Sequence, residues 1–233
     1  MFRSLQGEGP SAGTPAHFLR LQGCDVGCVW CDTKYSWDPE RGRTVSIADA
    51  FRELFALGDA PLLVVTGGEP LAHPGVERLL VAALGRWPRI EVETSGSEPP
   101  PLSHERLHYV WSPKLPRVTP RWADTWLHAA RFLADPRTTV KLVVGAGEGG
   151  VLQKGGVQKG GADEKNAETD ADAALRLIRE HGIPRERVAL MPEGVTDQDV
   201  RGHALGLAEL CQREGLRLSP RLHVWLWGAK RGV

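Results

Sequence analysis

The 233-residue sequence has no surplus of either charge. Its 29 Lys and Arg face 29 Asp and Glu, so it lacks the long-range field that gathers nucleic acid or an anionic membrane. A small, specific ligand is the expectation this leaves. No apolar run approaches the roughly 20 residues a spanning helix needs, and the opening MFRSLQGEGPSAG lacks the apolar stretch of a signal peptide. No membrane partner and a cytoplasmic location are therefore expected. Cysteine is also scarce, at four residues. Three of them crowd into Cys24 to Cys31, which does not suit a disulfide framework and in a reducing compartment suggests metal binding or redox chemistry. The fourth, Cys211, lies in the helically spaced stretch Ala204 to Glu214 and reads as a small buried hydrophobe.

What is present is enough apolar sequence, 41%, for one sizeable core, and one domain over residues 1–233 is expected. Six short runs rich in Val, Leu and Ile read as strands: Ala16 to Leu21, Leu62 to Thr66, Ile90 to Glu93, His108 to Trp111, Thr139 to Val144 and Val188 to Met191. Helical spacing fills Ile47 to Leu57, Val76 to Trp87, Pro120 to Leu133, Asp170 to His181 and Thr196 to Arg213. This alternation predicts an α/β fold around parallel strands. A further strand is expected at Leu222 to Trp227, where Trp225 and Trp227 alternate and read as core or dimer packing. Gly145 to Thr169 is glycine-rich, repeats LQKGG as VQKGG, and reads as a flexible insertion. It has no GK[ST] ending, which speaks against a phosphate cradle.

Five of the strands run into polar or glycine-rich loops: Gln22-Gly23-Cys24, Thr66-Gly67-Gly68-Glu69, Glu93-Thr94-Ser95-Gly96, Ser112-Pro113-Lys114 and Met191-Pro192-Glu193-Gly194. In parallel α/β folds the ligand sits at the carboxyl ends of the strands, so these loops should meet at one site.

The spacing Cys24-x3-Cys28-x2-Cys31 follows the first of these strands directly. Three thiolates can hold three irons of a 4Fe-4S cluster and leave the fourth iron open. An open iron can chelate the amino and carboxylate groups of S-adenosylmethionine, whose reductive cleavage the cluster then drives. A zinc site would need a fourth ligand, which a histidine could supply. A Cys28/Cys31 dithiol is the other reading, although it gives Cys24 no role.

The cysteine loop, followed by Gly67-Gly68-Glu69-Pro70 after the next strand, resembles the radical S-adenosylmethionine superfamily, in which the GGEP-type segment contacts the methionine amino group. More narrowly, Phe2 to Gly9, Phe18 to Cys24, Cys31 to Thr33, Ser112 to Lys114 and Arg221 to Gly228 are similar to 7-carboxy-7-deazaguanine synthases. The resemblance implies a shortened, partly open TIM-like (β/α) barrel of about six parallel strands. It implies a lyase that turns 6-carboxy-5,6,7,8-tetrahydropterin into 7-carboxy-7-deazaguanine and ammonia, with 4Fe-4S, S-adenosylmethionine and Mg2+ as cofactors, on the route to queuosine. Hydrogen abstraction from C6 of the pterin would begin the reaction, and the cofactor would be regenerated. A homodimer and an electron donor such as a flavodoxin or ferredoxin are further implications.

By the same resemblance, Cys24, Cys28 and Cys31 would ligate the cluster. Trp30, Asp32, Gly68, Ser112, Pro113, Lys114, Met191, Pro192, Glu193 and Gly194 would contact S-adenosylmethionine, and Thr33 would ligate Mg2+. Leu5, Gln6, Gly7, Arg20, Thr66 and the carboxylate of Val233 would hold the pterin, with Glu8 and His223 as weaker candidates. Elementary chemistry agrees in part: Arg20 can pair bidentately with a carboxylate, and Gln6 offers both a donor and an acceptor. Blander readings stand beside these, namely a structural ion pair for Arg20, a core histidine for His223 and a solvated turn for Lys114. Two other functions remain in view, a glycyl-radical activase carrying the same cysteine motif and a zinc-stabilised binding module.

Overall fold

In the computed structural model, residues 1–145, 168–228, 230 and 232 are described. One eight-stranded sheet runs through them in sequence order, β1 to β8. The strands are β1 (Phe2–Leu5), β2 (Pro15–Leu21), β3 (Leu62–Gly67), β4 (Arg89–Thr94), β5 (Leu107–Trp111), β6 (Thr139–Val144), β7 (Val188–Pro192) and β8 (Arg217–Leu218). All pairs from β2 to β8 are parallel; β1 lies antiparallel to β2, with Phe2 opposite Phe18. The six expected core strands all appear, with ends shifted by a residue at most.

Helices cover the outer face: α1 (Ile47–Phe55), α2 (Val76–Leu84), α3 (Ala129–Ala134), α4 (Asp170–Glu180) and α5 (Asp197–Glu214). Three of them start on one local device, a Ser or Thr whose hydroxyl accepts from the backbone N–H of an Asp three residues on. Ser46 caps α1, Thr169 caps α4 and Thr196 caps α5, each at 3.1 Å. At the other end of α5, Gly215 takes the left-handed conformation (φ 66°) that stops the helix. Pro120 to Leu133 is not one helix but a 3-10 stretch, Trp122–Trp126, followed by the short α3.

Because side chains alternate across a strand, the sheet has two different faces. Leu19, Leu63, Val65, Ile90 and Val92 join Phe51, Leu54, Leu80 and Trp87 in the core beneath the helices. On the concave face, Ala16, Phe18, Leu62 and Val64 form a small apolar plug against Phe2. One step further along this face stand polar residues, Arg20 on β2 and Thr66 on β3, with Glu93 on β4 and Lys141 on β6.

The sheet does not close, since β8 and β1 are not paired. The opening is bridged instead: Gly9 N–H donates to Ser219 Oγ at 2.8 Å, and Leu222 N–H donates to the Gly7 carbonyl at 2.9 Å. The strand expected at Leu222 to Trp227 is a helix, α6. Its alternating apolar residues mimic a strand, but Arg221 before it and Gly228 after it bound a single helical segment. Only Val224 is buried, while Trp225 and Trp227 are 43% and 36% exposed, so neither tryptophan is a core residue. Of the expected insertion, Gly145 to Thr169, residues 146–167 lie outside the described residues, while Thr169 is the cap of α4.

Candidate active site

All five polar strand ends contribute to one cavity at the carboxyl edge of the sheet. Cys24, Cys28, Trp30, Cys31, Asp32 and Thr33 line it from the β2 end, Thr66 and Gly68 from β3, and Glu93, Thr94 and Ser95 from β4. Ser112, Pro113 and Lys114 complete it from β5, and Met191 and Glu193 from β7. Pro192 and Gly194 belong to the same β7 loop but stand off the wall, with the Gly194 carbonyl accepting from Arg221.

The cysteine loop is held from three directions. Gly23 and Cys24 donate their N–H groups to the carbonyls of Ser36 and Trp37 at 2.9 and 3.1 Å. On another side, Val29 N–H donates to the Val118 carbonyl at 2.9 Å, and buried Thr119 donates its hydroxyl to the Val26 carbonyl at 2.5 Å. Below, the Gly67-Gly68 pair presses onto the loop: Glu69 N–H donates to the Gly23 carbonyl at 2.8 Å. A Cβ on Gly68 would lie 2.2 Å from that carbonyl oxygen and 2.7 Å from Cys24 Cβ, so glycine is a steric requirement here. Glu69 itself is buried and fully engaged. Its carboxylate accepts from Thr94 Oγ1 at 2.6 Å, Leu71 N at 3.0 Å, and Ser95 N and Oγ at 2.7 and 2.5 Å. It therefore ties the β3 loop to the β4 loop, while Gly68 lines the cavity.

The three thiols suit a cluster. All of them face the cavity, and burial pushes the Cys24 and Cys28 thiols up, a cost that coordination to iron would remove. Cys31 Sγ accepts from Trp37 Nε1 at 3.3 Å and lies 3.5 Å from Thr33 Oγ1. Among the described residues, no three His, Cys, Asp or Glu side chains gather as a single metal ion would need. For Mg2+, Thr33 presents its hydroxyl on the same wall, an oxygen donor of the type this ion takes.

A second cavity adjoins the first. Leu5, Gln6, Gly7, Arg20, His223 and Gly232 line it. Glu8, Asp32, Thr33, Thr66, Glu93 and Arg221 line both cavities and so form the wall between them. Sequence reading brought most of these together, Glu93 only as part of its strand-end loop, but gave Lys141 and Arg221 no place in the site. Lys141 Nζ lies 2.6 Å from Glu8 Oε2 and 3.8 Å from Glu93 Oε1. Arg221 donates to Glu8 Oε1 at 3.3 Å and also to Asp32 Oδ2. Gln6 Nε2 donates to Glu93 Oε1 at 3.0 Å, and its Oε1 accepts from Glu8 N at 3.2 Å, so the amide is held in one orientation.

Burial alone would raise the Glu8 carboxyl, but Lys141, Arg221 and His223 outweigh it and hold the group well below the usual range. Burial likewise disfavours the Lys141 ammonium, and Glu8 and Glu93 reverse that and hold it charged. Arg20 is half-buried, donates Nη1 to the Gly67 carbonyl at 3.2 Å and sits 5.8 Å from the centre of the Tyr35 ring. It has no carboxylate within ion-pair reach among the described residues. His223 is half-buried, 3.8 Å from Glu8 Oε1, and is not a core histidine. Val233 lies outside the described residues. Cys211 is buried far from the cavity, its thiol pushed up to about 11 by burial.

An open sheet whose first parallel strand feeds a three-cysteine loop, backed by a glycine pair on the next strand, defines a radical S-adenosylmethionine protein. The model described as "Radical SAM superfamily" matches residues 19–148. The 7-carboxy-7-deazaguanine synthase of Pyrobaculum aerophilum is 37% identical over 100% of this chain and 95% of its own length. That of Hyperthermus butylicus is 33% identical over 96% and 89%. The crystal structure of QueE from Escherichia coli covers 96% of this chain and 92% of its own at a TM-score of 0.63 and 26% identity. Streptococcus suis SuiB, at 12% identity and a TM-score of 0.53 over 87% of this chain, shares the fold alone. The chain belongs to the 7-carboxy-7-deazaguanine synthase family.

Proposed function

We propose that this chain converts 6-carboxy-5,6,7,8-tetrahydropterin to 7-carboxy-7-deazaguanine and ammonia, with the first cavity taking S-adenosylmethionine and the second the pterin. The observation that carries the reading is the shared wall. Cofactor and substrate would lie against the same six side chains.

A cluster on Cys24, Cys28 and Cys31 would supply the electron that cleaves S-adenosylmethionine and yields the adenosyl radical. The remaining work falls to the chain itself. Trp30, Asp32, Gly68 and Ser112 to Lys114 would seat the cofactor, with Met191 to Gly194 along the opposite edge. Arg20 would pair with the pterin carboxylate. Leu5, Gln6, Gly7 and Thr66 would fix the pterin edge. The Thr33 hydroxyl, on the wall both cavities share, would present Mg2+ to the substrate oxygens. Glu8, on the shared wall and held charged by Lys141 from the cofactor side, would offer the substrate's amino groups an acceptor at a fixed position.

The activase reading needs no pocket for a small carboxylate, whereas Arg20 lines one and has no carboxylate within ion-pair reach among the described residues. The zinc module needs a compact ligand set. The reaction calls for a small substrate and a reductant. A flavodoxin or ferredoxin as that reductant, a homodimer, a single domain and a cytoplasmic setting complete the proposal; no described helix is long and apolar enough to cross a membrane. The test is oxygen-free incubation of the reconstituted, reduced protein with the carboxytetrahydropterin and S-adenosylmethionine. A product of the mass of 7-carboxy-7-deazaguanine is expected, and a loaded cluster that leaves the pterin untouched refutes the reading.

A further inference from the structure

Of the three cluster cysteines, Cys31 alone receives a side-chain N–H among the described residues. The donor is Trp37, whose Nε1 is 3.3 Å from the sulfur. The same residue accepts the Cys24 N–H with its backbone carbonyl, at 3.1 Å. One residue thus clips the first and last cysteines of the motif, and its ring lines the cofactor cavity. A one-turn 3-10 segment, Lys34–Ser36, delivers it: Trp37 N–H donates to the Lys34 carbonyl at 3.2 Å, and Ser36 Oγ donates to the Thr33 carbonyl at 2.7 Å. Lys34 Nζ lies 5.8 Å from the centre of the indole ring, where a cation draws on the ring's π density and polarises the N–H.

A hydrogen bond to a ligating thiolate draws charge from the sulfur and favours the more negative, reduced cluster. Given a cluster on these cysteines, as proposed above, we infer that Trp37 is a positioning residue that sets the Cys31 thiolate and raises the reduction potential. Its indole N–H makes the electron that starts catalysis easier to load. Thr33 Oγ1, 3.5 Å from the same sulfur, adds a weaker contact and connects the expected Mg2+ position to this cysteine.

The experiment is a potentiometric titration of the reconstituted protein, monitored by electron paramagnetic resonance of the reduced cluster, for the native chain and Trp37→Phe. Phenylalanine keeps an aromatic ring but loses the N–H along with the pyrrole half of the indole, which is why the Trp37→His comparison is included. Trp37→Phe is expected to hold as much iron as the native chain and to be reduced only at a more negative potential, with Trp37→His, which retains a ring N–H, shifting less. An unchanged midpoint in a fully loaded Trp37→Phe chain overturns the inference. If neither variant holds iron, a Trp30→Phe chain labelled with 15N in its indole rings decides. A 15N coupling to the reduced cluster is expected there, and its absence overturns the assignment. Failure of the native chain itself to bind a cluster would instead sink the reading on which the inference rests.

Discussion

Arg221 and Asp32, 189 residues apart in sequence, are hydrogen-bonded to each other beside the last cluster cysteine. Arg221 is also bonded to Glu8 and to the Gly194 carbonyl. The residue before the C-terminal helix therefore joins the amino-terminal segment, the cysteine loop and the β7 loop on the wall between the two cavities.

Truncation at this point leaves two acids short of a buried partner. Arg221→Ala should cost about 3 kcal/mol of stability, the usual scale for breaking a buried ion pair, and should raise KM for both pterin and cofactor. Denaturant unfolding and initial rates check this. A variant as stable as the native chain contradicts the structural role.

Each of Cys24→Ala, Cys28→Ala and Cys31→Ala should lower iron from about four per chain to near zero. Cys211→Ala should retain the full amount, since Cys211 is packed in the hydrophobic core and lines neither cavity. Iron analysis after anaerobic reconstitution distinguishes them, and iron loss in Cys211→Ala would show the ligand set to be wrong.

His17 gives the fold a pH dependence of definite sign. Its Nδ1 accepts from Trp87 Nε1 at 3.1 Å, which leaves Nε2 to donate to the Gly58 carbonyl at 2.7 Å. Burial is the main cause holding its pKa below the ordinary value. The unfolded chain therefore binds the proton first. Stability from this group is complete above about 6.5 and is lost as the pH falls toward the lowered folded value. Urea midpoints at pH 7.5 and 5.5 should fall more for the native chain than for His17→Phe. Equal declines in both would rule the ring out as the source.

Removal of the residues after Gly228 should weaken the pterin more than S-adenosylmethionine, because Lys230 and Gly232 line only the second of these two cavities. Equilibrium binding of each ligand to the truncated protein tests this, and equal losses would contradict the division of the site.

Much of the fold was legible because the core strands announce themselves. Leu62 to Gly67 is buried at every position, so its unbroken apolar run had one reading. The sequence Leu222 to Trp227 misled because six residues with alternating bulk fit a strand and a short helix equally well; what decided it was tertiary, the withdrawal of Arg221 into buried bonds. β1 was missed because its signal is a single apolar pair, Phe2 stacked on Phe18 with ring centres 4.7 Å apart. In the site, cysteines and glycines declared themselves by spacing. Lys141 did not, since its partner Glu8 is 133 residues away and a lone lysine in a strand carries no local mark of burial.

The measurement that bears most directly on two cavities sharing one wall uses pterin carrying deuterium at C6, turned over without oxygen by the reconstituted, reduced protein. Deuterium should appear in the adenosyl portion of recovered cofactor or deoxyadenosine. Recovery of those species without deuterium, from protein with a full cluster, would contradict direct contact between the two ligands.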